Sequence, residues 1–293
     1  MSPRVSVPAG TVRVVTAPVE DLRTIAAAFH GTVLQDHPVE EGIGDTVIVD
    51  EVDPGRLLDA WRAARAATPT TGRYPVFTLP GDLHHEPTPA EIDDLARAAR
   101  AVDPWAVFRR HPDDRPMEPW RIESYVSAFL GAEGLSSPAG PPPAPTSGPE
   151  LDRWLYDTLL ADPVLADHAR RYYEPLVGTR TWHPMREVQL VLLPTVSPWL
   201  APAWISYFGA ARPGGPEAWA AAMWQWHGRW GAELVAAFNT TLHLVVSRQP
   251  QPGTPAWELA GQLLALGGSL PHEQWQLAMA VAHSDAWFLH DRP

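Results

Sequence analysis

Apolar residues recur every three or four positions after Pro216, which is the spacing that predicts an amphipathic helix. Gly231 follows the last of them and is a suitable residue to end such a helix. We therefore expect a helix from about Pro216 to Trp230, with its aromatic face buried against a sheet. The residues of that face are Trp219, Met223, Trp226 and Trp230.

The N-terminal half alternates short β-branched segments with helical ones. The predicted strands are Thr11–Thr16, Thr46–Val49 and Arg73–Leu79. The predicted helices are Val19–His30, a segment opening at Asp53–Pro54, Thr88 to about Ala101, and Pro119–Leu130. Pro75 favours an edge position for its strand, because proline has no amide hydrogen for a sheet ladder. Thr88 and Glu91 have the spacing of a capping box.

Two helices, capped by Ser147 and Asp162, open the C-terminal half. Its later helices begin at Thr254 and Pro271, and its strands are Glu187–Leu193, Glu233–Phe238, Thr241–Ser247 and Ala286–Leu289. After the leading helices the order is β-α-β-β-α-α-β, which resembles a split βαβ, ferredoxin-like layout. The N-terminal half can be interpreted in a related order. The expected fold class is α+β, with antiparallel or mixed sheets and packed helices.

Proline, glycine and serine dominate Gly131–Glu150, a composition typical of a linker or a long loop. This segment predicts an N-terminal α/β domain over residues 1–130, a linker over 131–150 and a C-terminal α+β domain over 151–293.

Composition narrows the function classes. The chain has 293 residues, a formal charge of −12 and 22 basic residues, all arginine, without a basic run, so we expect no nucleic-acid partner. It has no cysteine, which removes disulfides, thiolate metal sites and cysteine nucleophiles. Because neither an apolar signal region nor an 18-residue apolar segment is visible, we expect a cytoplasmic protein with no membrane partner.

Several polar residues beside the tryptophan face are candidates for a binding rim. Trp224 and His227 lie to one side of that face, and Glu233 follows it. A histidine titrates near neutral pH and could serve as acid, base or anion contact. The alternative is a half-buried tryptophan and a histidine that only favours the helix C-terminus. Other residues that could join this rim are His183, His290 and Asp291.

A second set of residues could supply nitrogen and oxygen ligands to a metal ion. These residues are His84, His85, Glu86, His111 and Asp113. They lie in two loops without the helical spacing of a zinc site, so solvated loop residues are the alternative. The sequence has no G-x-S-x-G, P-loop or G-x-G-x-x-G motif, and we expect no cofactor.

Four C-terminal segments carry a resemblance to a known family. They are "LLPTVSPWLAPAW" (Leu192–Trp204), "WHGRWGAELV" (Trp226–Val235), "TTLHLVVSRQP" (Thr240–Pro250) and "AWFLHD" (Ala286–Asp291). Together they resemble a bacterial family known as domain of unknown function 4253. Leu57–Phe77 is similar to what often precedes that domain. The chain departs from the family in having Trp230 where tyrosine is usual, in lacking a Cys-Pro-Asp segment around Leu263–His272, and in an ending with less tryptophan. The resemblance implies no particular activity.

Two functional hypotheses remain. The first is a non-enzymatic binding or accessory protein, for which an immunity-like role is one form, that binds a protein or small-molecule partner through the aromatic and histidine-lined edge of its C-terminal half. Tryptophan, tyrosine and arginine are common anchors of interfaces. The alternative is a metal-assisted hydrolase that uses the histidine, aspartate and glutamate cluster.

Overall fold

The computed structural model describes residues 22–83, 85–108, 118–122, 124, 147–173, 177–179, 182 and 187–292. The predicted strand Thr11–Thr16 lies outside these residues, as do most of the predicted helix Pro119–Leu130 and most of the linker at 131–150. Within the described residues, no helix is both long and apolar enough to cross a membrane.

The helices agree closely with the apolar spacing of the sequence. They are α1 (Leu22–Ala28), α2 (Leu57–Thr71), α3 (Pro89–Ala101), α4 (Pro104–Val107), α5 (Gly148–Ala161), α6 (Pro163–Tyr173), α7 (Gly215–Trp230), α8 (Thr254–Leu266) and α9 (Gln274–Val281). Short 3-10 helices cover Pro54–Arg56, Pro198–Ala203 and Phe208–Ala210. Thr88 caps α3 and Ser147 caps α5, each in a capping box with the glutamate three residues on.

Seven strands form a single mixed sheet. They are β1 (Val39–Glu41), β2 (Val47–Val49), β3 (Tyr74–Thr78), β4 (Gln189–Leu193), β5 (Glu233–Phe238), β6 (Thr241–Val245) and β7 (Ala286–His290). Their order across the sheet is β1-β2-β4-β3-β5-β6-β7. The α+β fold class is therefore confirmed, and β1 is a strand that the sequence pattern did not indicate.

Strand β4 joins the two halves of the chain. It lies between β2 and β3 and pairs antiparallel with both, with Leu192 opposite Val47 and Leu193 opposite Tyr74. Strands from both sides of residues 131–150 thus share one sheet. The domain bounds 1–130 and 151–293 stay a prediction about folding units.

The ferredoxin-like layout is not confirmed. A split βαβ unit requires the strands on either side of its helix, here β4 and β5, to run parallel. Because β3 is antiparallel to β4 and parallel to β5, those two strands run in opposite directions. Among the described residues, the N-terminal strands β1, β2 and β3 lie in the same sheet as the four C-terminal strands and form no separate sheet.

The edge position predicted from Pro75 is wrong, because β3 lies inside the sheet. Pro75 is opposite Leu192 of β4, and the register of β3 with β5 contains only the pair Phe77–Ala236. Pro75 is therefore beyond the ladder with β5, where its missing amide hydrogen costs little. Its carbonyl accepts a hydrogen bond from the indole of Trp61 at 3.0 Å.

The buried tryptophan face of α7 is confirmed, and the helix is enclosed further than one face requires. Every residue from Ala218 to Met223 is buried, so the helix is covered on all sides over this stretch. Trp226 lies 5.5 Å from the ring of Trp105 and 5.7 Å from that of Trp287 on β7, and it donates a hydrogen bond to Gln262 at 2.8 Å. This tryptophan ties α4, α7, α8 and the sheet together.

We predict that Trp226→Ala lowers the free energy of unfolding by about 3–5 kcal/mol, because truncating a buried indole leaves a cavity. Trp226 is 1% exposed, whereas Trp120 is 65% exposed and provides a matched control. Trp120→Ala should change stability by no more than about 0.5 kcal/mol. Urea denaturation followed by circular dichroism measures both, and equal small losses would contradict the packing described.

Candidate functional site

The structure gives Trp224 and His227 half-buried positions at the margin of α7. Trp224 packs against the core without being enclosed by it. The His227 ring lies 5.3 Å from that of Trp199, and its Nδ1 is 3.1 Å from the carbonyl oxygen of Ala232. These contacts hold the His227 ring against the segment that follows α7.

The end of α7 is built around Arg248. Its guanidinium donates hydrogen bonds to the carbonyls of His227, Gly228 and Arg229, the last of these through Nε. Gly231 terminates the helix at φ +61°, and a Cβ there would lie 2.0 Å from Ser247 Oγ. A cation at a helix C-terminus compensates its unpaired carbonyls and its dipole. The segments "WHGRWG" and "SRQ" therefore have a folding role.

The Glu233 carboxylate forms an ion pair that joins the C-terminal half of the chain to the N-terminal half. Its carboxylate accepts two hydrogen bonds from Arg65 of α2, both at 2.8 Å. Burial also raises the pKa of Tyr74 well above its ordinary value, and the Tyr74 hydroxyl donates to the carbonyl of Leu234 at 2.7 Å. Glu233 thus fastens the start of β5 to the N-terminal half.

His290 and Asp291 contact the β5–β6 hairpin and lie apart from His227. His290 Nδ1 is 3.1 Å from the carbonyl oxygen of Thr240, and Asp291 accepts a hydrogen bond from Ser269 at 3.3 Å. Glu233, beside His227, and Phe238, beside this hairpin, are opposite ends of β5, which are about 17 Å apart at ~3.4 Å per residue. The structure therefore does not bring His227 and His290 into one cleft, and His183 lies outside the described residues.

The residues considered for a metal site are only partly described. His84, His111 and Asp113 lie outside the described residues. His85 is 3.8 Å from Glu91, and the Glu86 side chain contacts the β1–β2 turn. Among the residues that the structure describes, no group of three or more histidine, aspartate or glutamate side chains could hold a metal ion.

A cleft of about 250 Å³ opens at the end of the sheet where β2 begins and β4 ends. We call it the Trp204 cleft. Its lining comes from the β1–β2 turn, from the loop before α3 and from the chain that follows β4. The lining residues are Gly44, Asp45, Glu86, Pro87, Thr88, Pro89, Ile92, Pro194 and Trp204.

The β1–β2 turn forms one wall and is held by a buried arginine. Gly44 and Asp45 both adopt positive φ, at +59° and +57°, and Thr46 donates from its hydroxyl to the carbonyl of Ile43 at 2.7 Å. Arg73 donates to the carbonyl of Asp45 and, at 3.5 Å, to that of Leu192. Burial lowers the pKa of Arg73, and the nearby Asp45 partly offsets that effect.

The loop before α3 forms the opposite wall. Thr88 and Glu91 fix its end through the capping box, and Pro87 and Pro89 restrict its backbone. The loop packs tightly on the turn, since a Cβ on Gly44 would lie 2.7 Å from Glu86 Cγ and 3.2 Å from its Cα. Only glycine fits there, and this contact places the Asp45 and Glu86 residues side by side at the cleft.

The floor is apolar and is supplied by the chain that leaves β4 and by Ile92 of α3. Pro194 and Ile92 are buried, and Trp204 follows the 3-10 helix Pro198–Ala203. The Trp204 indole N–H is buried without a hydrogen-bond partner among the described residues. Five other tryptophans share this property, so it does not by itself mark Trp204 as functional.

The fold and this cleft define an α+β protein with a mixed seven-stranded sheet and a small acidic and aromatic site at one sheet end. Residues 189–291 match the model of a family described as Domain of unknown function (DUF4253), which confirms the resemblance in the C-terminal segments. The comparisons with curated proteins and with solved structures returned no match.

The sequence reasoning missed this cleft as a site. The sequence makes Glu86 a candidate metal ligand, and it indicates Trp204 only as the last residue of a family segment. The available signal was the pair Gly44–Asp45 between two strand-like segments, which is typical of a turn with positive φ. Nothing in the local pattern indicates that this turn meets residues 86 and 204.

We predict that Arg65→Met and Glu233→Gln are coupled by about 1–2 kcal/mol in a double-mutant cycle, because the pair is bidentate and only partly exposed. Side-chain exposure is 31% for Arg65 and 18% for Glu233. The control is the exposed pair Arg56–Asp59, at 3.7 Å, for which coupling should stay below about 0.5 kcal/mol. Guanidinium denaturation measures both cycles, and equal coupling would refute the structural role of Glu233.

Proposed function

We propose that this protein binds a partner protein, without catalysing a reaction, through the Trp204 cleft and the apolar residues beside it. The observation that carries the proposal is a small cleft with an apolar floor and exposed carboxylate residues at Asp45 and Glu86. The binding surface is thus the Trp204 cleft and not the His227 margin, where Glu233 and Arg248 hold the fold together.

The size of the cleft favours a protein partner over a small molecule. Pockets for drug-sized ligands usually measure about 300–1,000 Å³. At about 250 Å³ the Trp204 cleft falls below that range. It suits a single side chain presented by a larger surface.

Exposed apolar side chains lie next to the turn wall and next to the floor segment. Ile43, the neighbour of Gly44, is 48% exposed, and Val196, two residues after Pro194, is 45% exposed. Exposed apolar residues beside a cleft are common at interaction sites. A partner that covered them would remove both from water while one of its side chains entered the cleft.

We place this binding in the cytoplasm of a bacterium, in an accessory or immunity-like role. The support is the composition of the chain and the family resemblance, and the acidic charge of −12 suits a partner of opposite charge.

We predict that Ile43→Asp and Val196→Asp abolish capture of the partner, because each puts a charge into the interface at a position where it costs little stability. The control is Val164→Asp on α6, since Val164 is 76% exposed and lies outside the cleft lining. Immobilised variants are incubated with native lysate of the source cell, and the captured proteins are quantified by mass spectrometry. The proposal requires a captured protein that both Ile43→Asp and Val196→Asp lose and that Val164→Asp retains. It fails if no captured protein behaves in this way.

A further inference from the structure

The charged residues that line the Trp204 cleft have one sign. They are Asp45 in the turn wall and Glu86 in the loop wall, and both are exposed. The floor segment, residues 194–204, has no charged residue. Asp45 and Glu86 thus form an acidic rim above an uncharged floor.

Arg73 holds the turn wall, and its single charge is smaller than that of the two carboxylates at the cleft. It is buried and donates to backbone carbonyls, including that of Asp45. Among the described residues, no ion pair joins Arg73 to a carboxylate within 4.0 Å. Asp45 and Glu86 are both exposed, and of the two it is Asp45 that interacts electrostatically with Arg73. The cleft itself keeps a net negative charge.

From this arrangement, and resting on the proposed function, we infer that the Trp204 cleft receives an arginine side chain of the partner protein. The guanidinium lies between the Asp45 and Glu86 carboxylates, and the methylene stem packs on Ile92, Pro194 and Trp204. Charge-assisted hydrogen bonds to two carboxylates compensate the loss of hydration.

Arginine fits this cleft better than lysine does. Its planar group is less strongly hydrated than an ammonium, presents a fork of donors to carboxylates and stacks on aromatic rings. Its long stem can cover apolar surface while the charge stays near the rim. An apolar floor beneath two carboxylates matches both parts of that side chain.

The geometry of the walls supports a preformed site. The loop and the turn are already in contact at Gly44 and Glu86, and Arg73 and the Thr88 capping box hold the backbone on either side. A site that is fixed before binding loses less conformational entropy when the ligand enters. The backbone that carries the two carboxylates is thus held in place in the free protein.

The test uses three acetylated and amidated pentapeptides, identical except for arginine, lysine or citrulline at the centre, flanked by serine and glycine. Citrulline keeps the shape of arginine and removes its charge. Binding to the full chain is followed by two-dimensional NMR of the indole and backbone N–H signals, with the Trp204 indole identified from Trp204→Phe. We expect saturable shifts at Trp204 and Gly44 with the arginine peptide, and about tenfold weaker binding of citrulline.

Matched variants assign the effect to the rim. Asp45→Asn and Glu86→Gln should each weaken the arginine peptide several-fold, whereas Glu217→Gln, an exposed carboxylate in the first turn of α7, should not. Binding should also weaken as salt is added, because the carboxylates are exposed.

Two results overturn the inference. One is the absence of saturable arginine-peptide binding at Trp204 and Gly44, and the other is equal binding of the citrulline peptide or of both rim variants. Neither result bears on the capture experiment: if Ile43→Asp and Val196→Asp still abolish capture, the docking surface stands and only its arginine specificity is rejected. If instead the Ile43→Asp and Val196→Asp variants capture the same proteins as the wild type while the arginine peptide still binds, the docking surface is rejected.

Discussion

The pairing of β4 with both β2 and β3 is the contact on which the rest of this structure depends. Two antiparallel ladders, with Leu192 opposite Val47 and Leu193 opposite Tyr74, hold a C-terminal strand between two N-terminal ones. Because the three strands are aligned, the turn before β2, the start of β3 and the exit from β4 meet at one end of the sheet. The Trp204 cleft exists only because these ladders bring its walls together.

The family segments divide between folding and this cleft. Arg248 and Gly231 terminate α7, and His290 contacts the turn between β5 and β6. By contrast, Pro194 and Trp204 border the cleft, while its other walls come from residues before 189, outside the family match. The matched region thus supplies a framework and an apolar floor, and the remainder of the chain supplies the charged groups.

Local features of this fold could be predicted from the sequence because they depend on neighbouring residues. The capping boxes at Thr88 and Ser147 and the tryptophan spacing of α7 are all of this kind. Strand partners depend on residues far apart in sequence, which is why the central position of β3 and the order around β4 were missed. The cleft was missed for the same reason, since Gly44, Glu86 and Trp204 are adjacent only after the sheet has formed.

The carboxylates and the apolar residues around the cleft contribute differently to binding. Exposed carboxylates such as Asp45 and Glu86 remain hydrated and are screened by salt, so each contributes about 1 kcal/mol or less to affinity. Their effect is on partner choice and on the rate of encounter, because an acidic surface attracts a basic partner and repels an acidic one. Most of the affinity must then come from apolar area, which Ile43 and Val196 supply outside the cleft and Trp204 supplies within it. Specificity for a cation and strength of attachment therefore reside in different residues of one surface.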